Sequence, residues 1–111
     1  MRDRDQILSL LSIARKAGGV ELGVTGAAGA LKRGRAGLVF LARDAAENTK
    51  KEICGAALPK GAAIISGYGR QELSGAVGRD DIVVAAVCNR SLAARIRELE
   101  EQKSSNGGDQ L

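Results

Sequence analysis

Apolar side chains recur at spacings of three and four through Ile7, Leu8, Leu10, Leu11 and Ala14, the mark of a helix with one buried face. The spacing predicts a helix over residues 4–17, closed by Gly18 and Gly19, because glycine readily takes the left-handed turn that ends helices. A short strand is expected at 20–22. Gly23 then permits a turn into a second helix over 25–33, with Thr25 as its N-cap, and Gly34 stops it. The pattern changes next. Leu38, Val39, Phe40, Leu41 and Ala42 are apolar without interruption, as a strand covered on both faces requires. A third helix should run to about Leu58, starting at Asp44 or at Thr49, whose spacing to Glu52 suits a capping box. Beyond Pro59 and Gly61, 62–66 reads as a strand, 67–69 as a turn, and 70–77 as a short helix ended by Gly78. A strand at 82–87 and an amphipathic helix marked by Leu92, Ile96 and Leu99 complete the pattern.

Helix and strand therefore alternate along the chain, which predicts an α/β fold: a three-layer αβα sandwich whose four-stranded sheet is mixed but mostly parallel, with helices on both faces. The 111 residues suit one domain. That domain is expected over 1–102, and the Ser/Gly/Asn/Asp-rich stretch 103–111 is expected to be a disordered tail. In folds of this kind ligands gather where strands hand over to helices. The segments to watch are 18–26, 43–47, 67–70 and 78–81.

Composition narrows the chemistry. Of the 44% hydrophobic residues only one is Phe and one Tyr, with no Trp. A core of small aliphatic side chains fits helix-on-sheet packing, and Phe40 and Tyr68 alone make no platform for stacking bases. Histidine is absent, which removes the commonest general base and metal ligand. Cys54 and Cys88 lie far apart in apolar runs and read as buried, reduced thiols of a reducing compartment, not a disulfide, a nucleophile or a metal pair. Residues 1–6 alternate in charge and lack the apolar core of a signal peptide. No apolar run approaches the roughly 18 residues of a membrane span. The expected location is the cytoplasm.

The net charge of +4 is unevenly placed. Residues 1–43 hold eight Lys/Arg against three Asp/Glu, whereas 44–111 hold nine against ten. The excess is densest at Lys32, Arg33 and Arg35, so either a solvated basic face or a phosphate-facing patch is expected there. Thr25-Gly26-Ala27-Ala28-Gly29-Ala30 suggests a dinucleotide-binding turn, but the glycine spacing fails, since Gly29 comes one place early and position 30 is Ala. Small residues packing a helix account for it better. Asp80-Asp81 and the Glu98, Glu100, Glu101 group have no partners at ligand spacing and read as loop and helix surface. No catalytic residue, metal ligand or cofactor is expected, and the chain is read as a non-enzyme.

From Gly23 the chain runs through a glycine turn into a helix ending Lys32-Arg33-Gly34, then along an aliphatic strand to Arg43-Asp44. This resembles the ribosomal L-seven-Ae family, whose members bind kink-turn RNA. Glu47-Asn48-Thr49-Lys50-Lys51 is similar to the next helix of bacterial members. Glu72-Leu73-Ser74-Gly75-Ala76-Val77-Gly78 is similar to the family's Leu-Gly-x-Ala-x-Gly segment. The resemblance covers about Ile7 to Leu99. It implies that the turn and the start of the second helix meet sheared G·A pairs, where free helix N–H groups suit phosphates and base edges, and that the loop after Gly78 covers a flipped-out nucleotide. Carried over, the implied RNA-contacting set is Gly23, Thr25, Gly26, Gly29, Lys32, Arg33, Arg35, Asp44, Gly78 and Arg79. The family's Asn-Glu falls on Thr25-Gly26 and its Lys on Gly29, while Asp80 and Asp81 stand where apolar residues are usual. Losing one bidentate contact costs about 1–3 kcal/mol of discrimination, so weakened or altered specificity is expected. The implied partner is a structured RNA, ribosomal RNA among the options, with a protein of the translation machinery as a further one. The alternative reading is a protein-interaction module that keeps the fold without the RNA, because a bare Gly26/Gly29 face allows another backbone to approach closely.

Overall fold

The computed structural model describes the backbone of residues 3–109 and the side chains of 6–102. Its elements are α1 (Asp3–Lys16), β1 (Val20–Leu22), α2 (Val24–Lys32), β2 (Leu38–Leu41), α3 (Glu47–Ala57), a 3-10 turn (Leu58–Lys60), β3 (Ala63–Ile65), α4 (Arg70–Val77), β4 (Val84–Val87) and α5 (Arg90–Asp109). Every expected helix and strand is present. Of the tail expected over 103–111, the backbone of 103–109 continues α5, while its side chains and all of 110–111 lie outside the described residues.

The sheet has the order β1-β4-β2-β3. β2 and β4 form its centre, and all their residues are buried, which is what two uninterrupted apolar runs dictate. On one face α2 packs against α3, and on the other α1 packs against α4 and α5. Ile7, Leu11, Leu31, Phe40, Ile53, Leu73 and Ile96 are fully enclosed between the layers, each burial worth about 1.5–3 kcal/mol.

One expectation is corrected. The sheet is mixed and not mostly parallel: β2 pairs with β3 in parallel, but β4 runs antiparallel to both β1 and β2. The cause lies in α4. Its eight residues span about 12 Å, and the segments before and after it both return to the rim where β2 ends, through Arg43 N–H to the Tyr68 carbonyl and Ala42 N–H to the Val83 carbonyl. At its start Arg70 N–H donates to Asp44 Oδ1 (2.9 Å), and beyond its end Ile82 N–H donates to Ser74 Oγ (2.8 Å). A chain released at the rim where β2 finishes can only enter β4 from there, and so runs back against β2.

Local start signals also differ from expectation. α2 is capped by Gly23, at φ 87° and ψ 163°, a conformation essentially confined to glycine. Thr25 therefore lies inside the first turn. α3 starts at Glu47 after Ala46, without a side-chain cap; Asp44 serves the start of α4 instead, and Thr49 lies within the helix. Cys54 and Cys88 are free thiols, half-buried where full burial was expected. Burial still pushes the Cys88 thiol up, which keeps it protonated and a poor nucleophile.

Candidate nucleic-acid interface

The corrected strand direction gathers three turns on one rim. There β1, β2 and β3 end and β4 begins. Gly23 N–H donates to the Val84 carbonyl (3.0 Å), Ala42 N–H to Val83 (2.8 Å), and Arg43 N–H to Tyr68 (3.0 Å). The start of α2, the segment after β2, and the turn before α4 are thus stitched together by backbone bonds. Side chains reinforce them. The Arg43 guanidinium donates to the Gly67 carbonyl (2.8 Å) and to Glu72 Oε1 (3.3 Å), and Glu72 also accepts the Gly69 N–H (3.0 Å). The hydrogen bond from the Arg70 N–H holds the Asp44 carboxyl below its ordinary pKa, with the nearby Arg70 and Arg43 charges adding to the effect. Arg70 in turn pairs with Asp81 (3.1 Å). Asp81 sits at φ 61°, a left-handed conformation that aspartate tolerates better than most residues. Gly78 ends α4 at φ 72° and turns Arg79 and Asp80 outward, where both are exposed.

Beside this rim, the outward face of α2 forms a cleft of about 440 Å³. Thr25, Gly26, Gly29, Lys32, Arg33 and Arg35 all line it, because positions three and four apart share one side of a helix. Six of the ten residues implied by the resemblance therefore meet in one place, with Gly23 at its threshold. The other three lie further along the rim. Gly78 and Arg79 line a second hollow with Arg70, Ser74, Asp80 and Asp81, and Asp44 lines a third with Arg43 and Glu72.

The cleft also holds two acids that the sequence did not place there, Glu21 and Glu52. The Glu21 carboxylate lies 3.1 Å from where a Cβ on Gly26 would stand, and the Arg33 guanidinium 3.2 Å from the equivalent point on Gly29. Glu21 also pairs with Arg35 at 3.8 Å. The entrance is therefore partly covered by the protein's own side chains, and its glycines are not bare. An acidic side chain at 26 would face the Glu21 carboxylate, so glycine there avoids a like-charge contact. At 29, a cation is supplied from Arg33, one turn later. One signal for Glu21 was available: it is the polar middle of a three-residue strand, and alternation turns it away from Val20 and Leu22.

Phe40 and Tyr68 pack on each other inside the core, with ring centroids 6.1 Å apart, and both are buried. Any recognition at this surface must use charge, backbone and shape. Among the described residues no group of three or more His, Cys, Asp or Glu is placed to hold a metal ion, and no helix is long and apolar enough to cross a membrane.

The family model of the ribosomal protein L7Ae/L30e/S12e/Gadd45 family matches residues 5–96. The chain belongs to that family. The span of this L7Ae/L30e/S12e/Gadd45 match takes in the cleft and both further hollows, so every residue named from the resemblance falls within it. Among solved structures, "a protein with unknown function" from Bacillus halodurans C is 28% identical with a TM-score of 0.79, over 84% of this chain and 94% of its own. The Giardia lamblia 15.5kD RNA binding protein superposes with a TM-score of 0.74 at 20% identity, over 89% of this chain and 88% of its own, and so shares the L7Ae-type fold. A search of curated proteins finds no match.

Proposed function

We propose that the protein binds a structured RNA through the α2 cleft and the adjoining rim, and acts as a binding protein, not an enzyme. The observation that carries this reading is that Thr25, Gly26, Gly29, Lys32, Arg33 and Arg35 line one outward cleft, which runs from the positive N-terminal end of α2 to its basic last turn. Family membership and the fold shared with a 15.5kD RNA binding protein support it. A kink-turn is the expected RNA shape, read through phosphates and groove geometry because the aromatic side chains are buried. Ribosomal RNA, or another RNA of the translation machinery, is the expected source, and the cytoplasm the expected compartment.

Discrimination should be weaker than that of family members carrying Asn, Glu and Lys at 25, 26 and 29. Here Thr25 retains one hydroxyl, Gly26 has no side chain, and the Arg33 guanidinium, reaching back from one turn later, stands in for the cation of 29. Asp80 and Asp81 add local repulsion at the loop, offset by Arg70 and Arg79. The reading that the chain is instead a protein-interaction module would use the same Gly26/Gly29 face, which Glu21 and Arg33 overhang; the cations gathered around it favour a polyanion over another backbone.

The test is a binding titration with a kink-turn RNA and with a variant whose G·A pairs are disrupted. Tighter binding to the intact motif is expected, and equal affinity for both removes the kink-turn assignment. Replacing Lys32, Arg33 and Arg35 together by Glu should abolish binding; unchanged affinity removes the cleft from the interface.

A further inference from the structure

At the opposite rim of the sheet, where β2 and β3 begin and β4 ends, lies a second groove of about 380 Å³. It is bounded by the 34–37 turn, the end of the 3-10 turn and the first two turns of α5. Four of its lining residues are cations, Arg35, Lys60, Arg90 and Arg97, and the rest are glycine and alanine. No carboxylate lines it. We infer that this groove binds the phosphate backbone of RNA and extends the α2 cleft into one continuous cationic track, an inference that rests on the RNA-binding reading above.

Three features point to a ligand. First, the charges are gathered where folding alone would spread them. Arg90, Ala94 and Arg97 share one stripe of α5, since residues four and seven apart fall on the same side. Arg90 is also the first residue of that helix, where the macrodipole disfavours a cation. The helix is already capped, because Asn89 Oδ1 accepts the Leu92 N–H (3.0 Å). Second, the cations are available. Lys60 and Arg90 are exposed and form no ion pair among the described residues. Arg35 meets Glu21 at 3.8 Å and Arg97 meets Glu101 at 3.6 Å; exposed pairs of this length contribute little, so a phosphate can displace them. Third, Arg35 lines both this groove and the α2 cleft. Cations that continue from one to the other fit a single long polyanion better than a short acidic segment, and a stem leaving an RNA motif seated on α2 is such a polyanion. The small side chains of Ala93 and Ala94 on the groove floor leave room for a sugar-phosphate strand.

The experiment compares the wild-type protein with K60Q/R90Q/R97Q, which leaves the α2 cleft intact. The probe is a kink-turn RNA carrying an extended A-form stem, with the same motif on a minimal stem as reference. Each phosphate contact steepens the dependence of log Kd on log salt by roughly 0.7–0.9. The triple variant should therefore flatten the slope by about 2–3 for the extended RNA, weaken binding at low salt at least about tenfold, and leave the preference for intact over G·A-disrupted motif unchanged. R90Q and K60Q alone should each account for about one contact, which keeps the inference testable if the triple variant fails a circular-dichroism melt. An unchanged slope on the extended RNA overturns the groove. So does loss of polyglutamate binding in the variant without any change toward RNA, which would mark an acidic protein as the occupant. A flattened slope with no preference for the intact motif in the wild type upholds the groove and sinks the kink-turn assignment. Wild-type protein that binds no RNA at low salt removes both.

Discussion

Gly29 stands in the middle of α2 (Val24–Lys32) at the position where the family pattern places Lys, and replacing it separates helix energetics from RNA recognition. Glycine in a helix interior is about 0.8–1.0 kcal/mol less favourable than alanine, whereas Gln and Lys lie close to alanine. A Cβ at 29 meets only Arg33 Nη1 at 3.2 Å and Cζ at 3.9 Å, the far end of an exposed side chain that swings aside at little cost. Gly29→Gln should therefore gain roughly 0.6 kcal/mol. Gly29→Lys gains the same amount but sets a second cation four residues before Arg33, a repulsion of about 0.2–0.5 kcal/mol, leaving roughly 0.3. For a domain of about this size 1 kcal/mol moves Tm by about 4–8 °C. A rise of about 2–5 °C for Gln and about 1–2 °C for Lys is expected by thermal unfolding at moderate salt. RNA affinity should divide the two variants the other way. Gly29→Lys places a cation directly on the cleft floor and should bind about tenfold tighter, or about 1.4 kcal/mol, with a steeper salt dependence; Gly29→Gln should change little. A fall in Tm for both would mean that the helix surface at 29 is closed by something other than Arg33. Equal RNA affinity for the two would show that no phosphate comes to this part of α2.

Three further expectations follow from the same contacts. Glu21→Gln removes the carboxylate that meets Arg35 at 3.8 Å and covers Gly26, so binding to RNA without a kink-turn should strengthen several-fold with a steeper salt slope; weaker binding would mean that Glu21 itself contacts the RNA. Asp44→Ala removes the acceptor of the Arg70 N–H. Because that bond lowers the Asp44 pKa from its ordinary 3.8, the carboxylate's contribution is present above that value and lost as pH falls through the lower folded one. Urea unfolding should accordingly show a deficit for Asp44→Ala near neutral pH that shrinks in acid, and a deficit independent of pH would refute the cause given. Phe40→Ala empties a fully buried site beside Tyr68 and should cost about 3–5 kcal/mol, a large share of the roughly 5–15 kcal/mol that holds a domain together; a loss under about 1 kcal/mol in denaturant titration would mean that the core closes over the gap.

How far these features could be read from the chain depended on whether each was local. The central strands were legible because Leu38, Val39, Phe40 and Leu41 can be accommodated only under cover on both faces, and α4 because Gly69 and Gly78 bracket eight residues in which a single interior glycine, Gly75, is tolerated. The direction of β4 was not legible. An apolar run has no polarity, and what fixes it is a set of bonds between distant residues, Arg70 to Asp44 and Ala42 to Val83. The cleft divides in the same way. Thr25, Gly29, Lys32 and Arg33 fall together by helical spacing alone, so their convergence followed from periodicity. Glu21 belongs to another element, and its position over Gly26 depends on β1 packing beside α2, as does the ion pair with Arg35. That pair matters for the functional reading, because Arg35 also lines the groove at the opposite rim. A cation held loosely by an exposed carboxylate between two basic surfaces can be drawn to either one. The charge count placed the excess of cations in residues 1–43 and missed the second surface, because Lys60, Arg90 and Arg97 come from a stretch whose charges nearly balance; only the folded arrangement gathers them with Arg35.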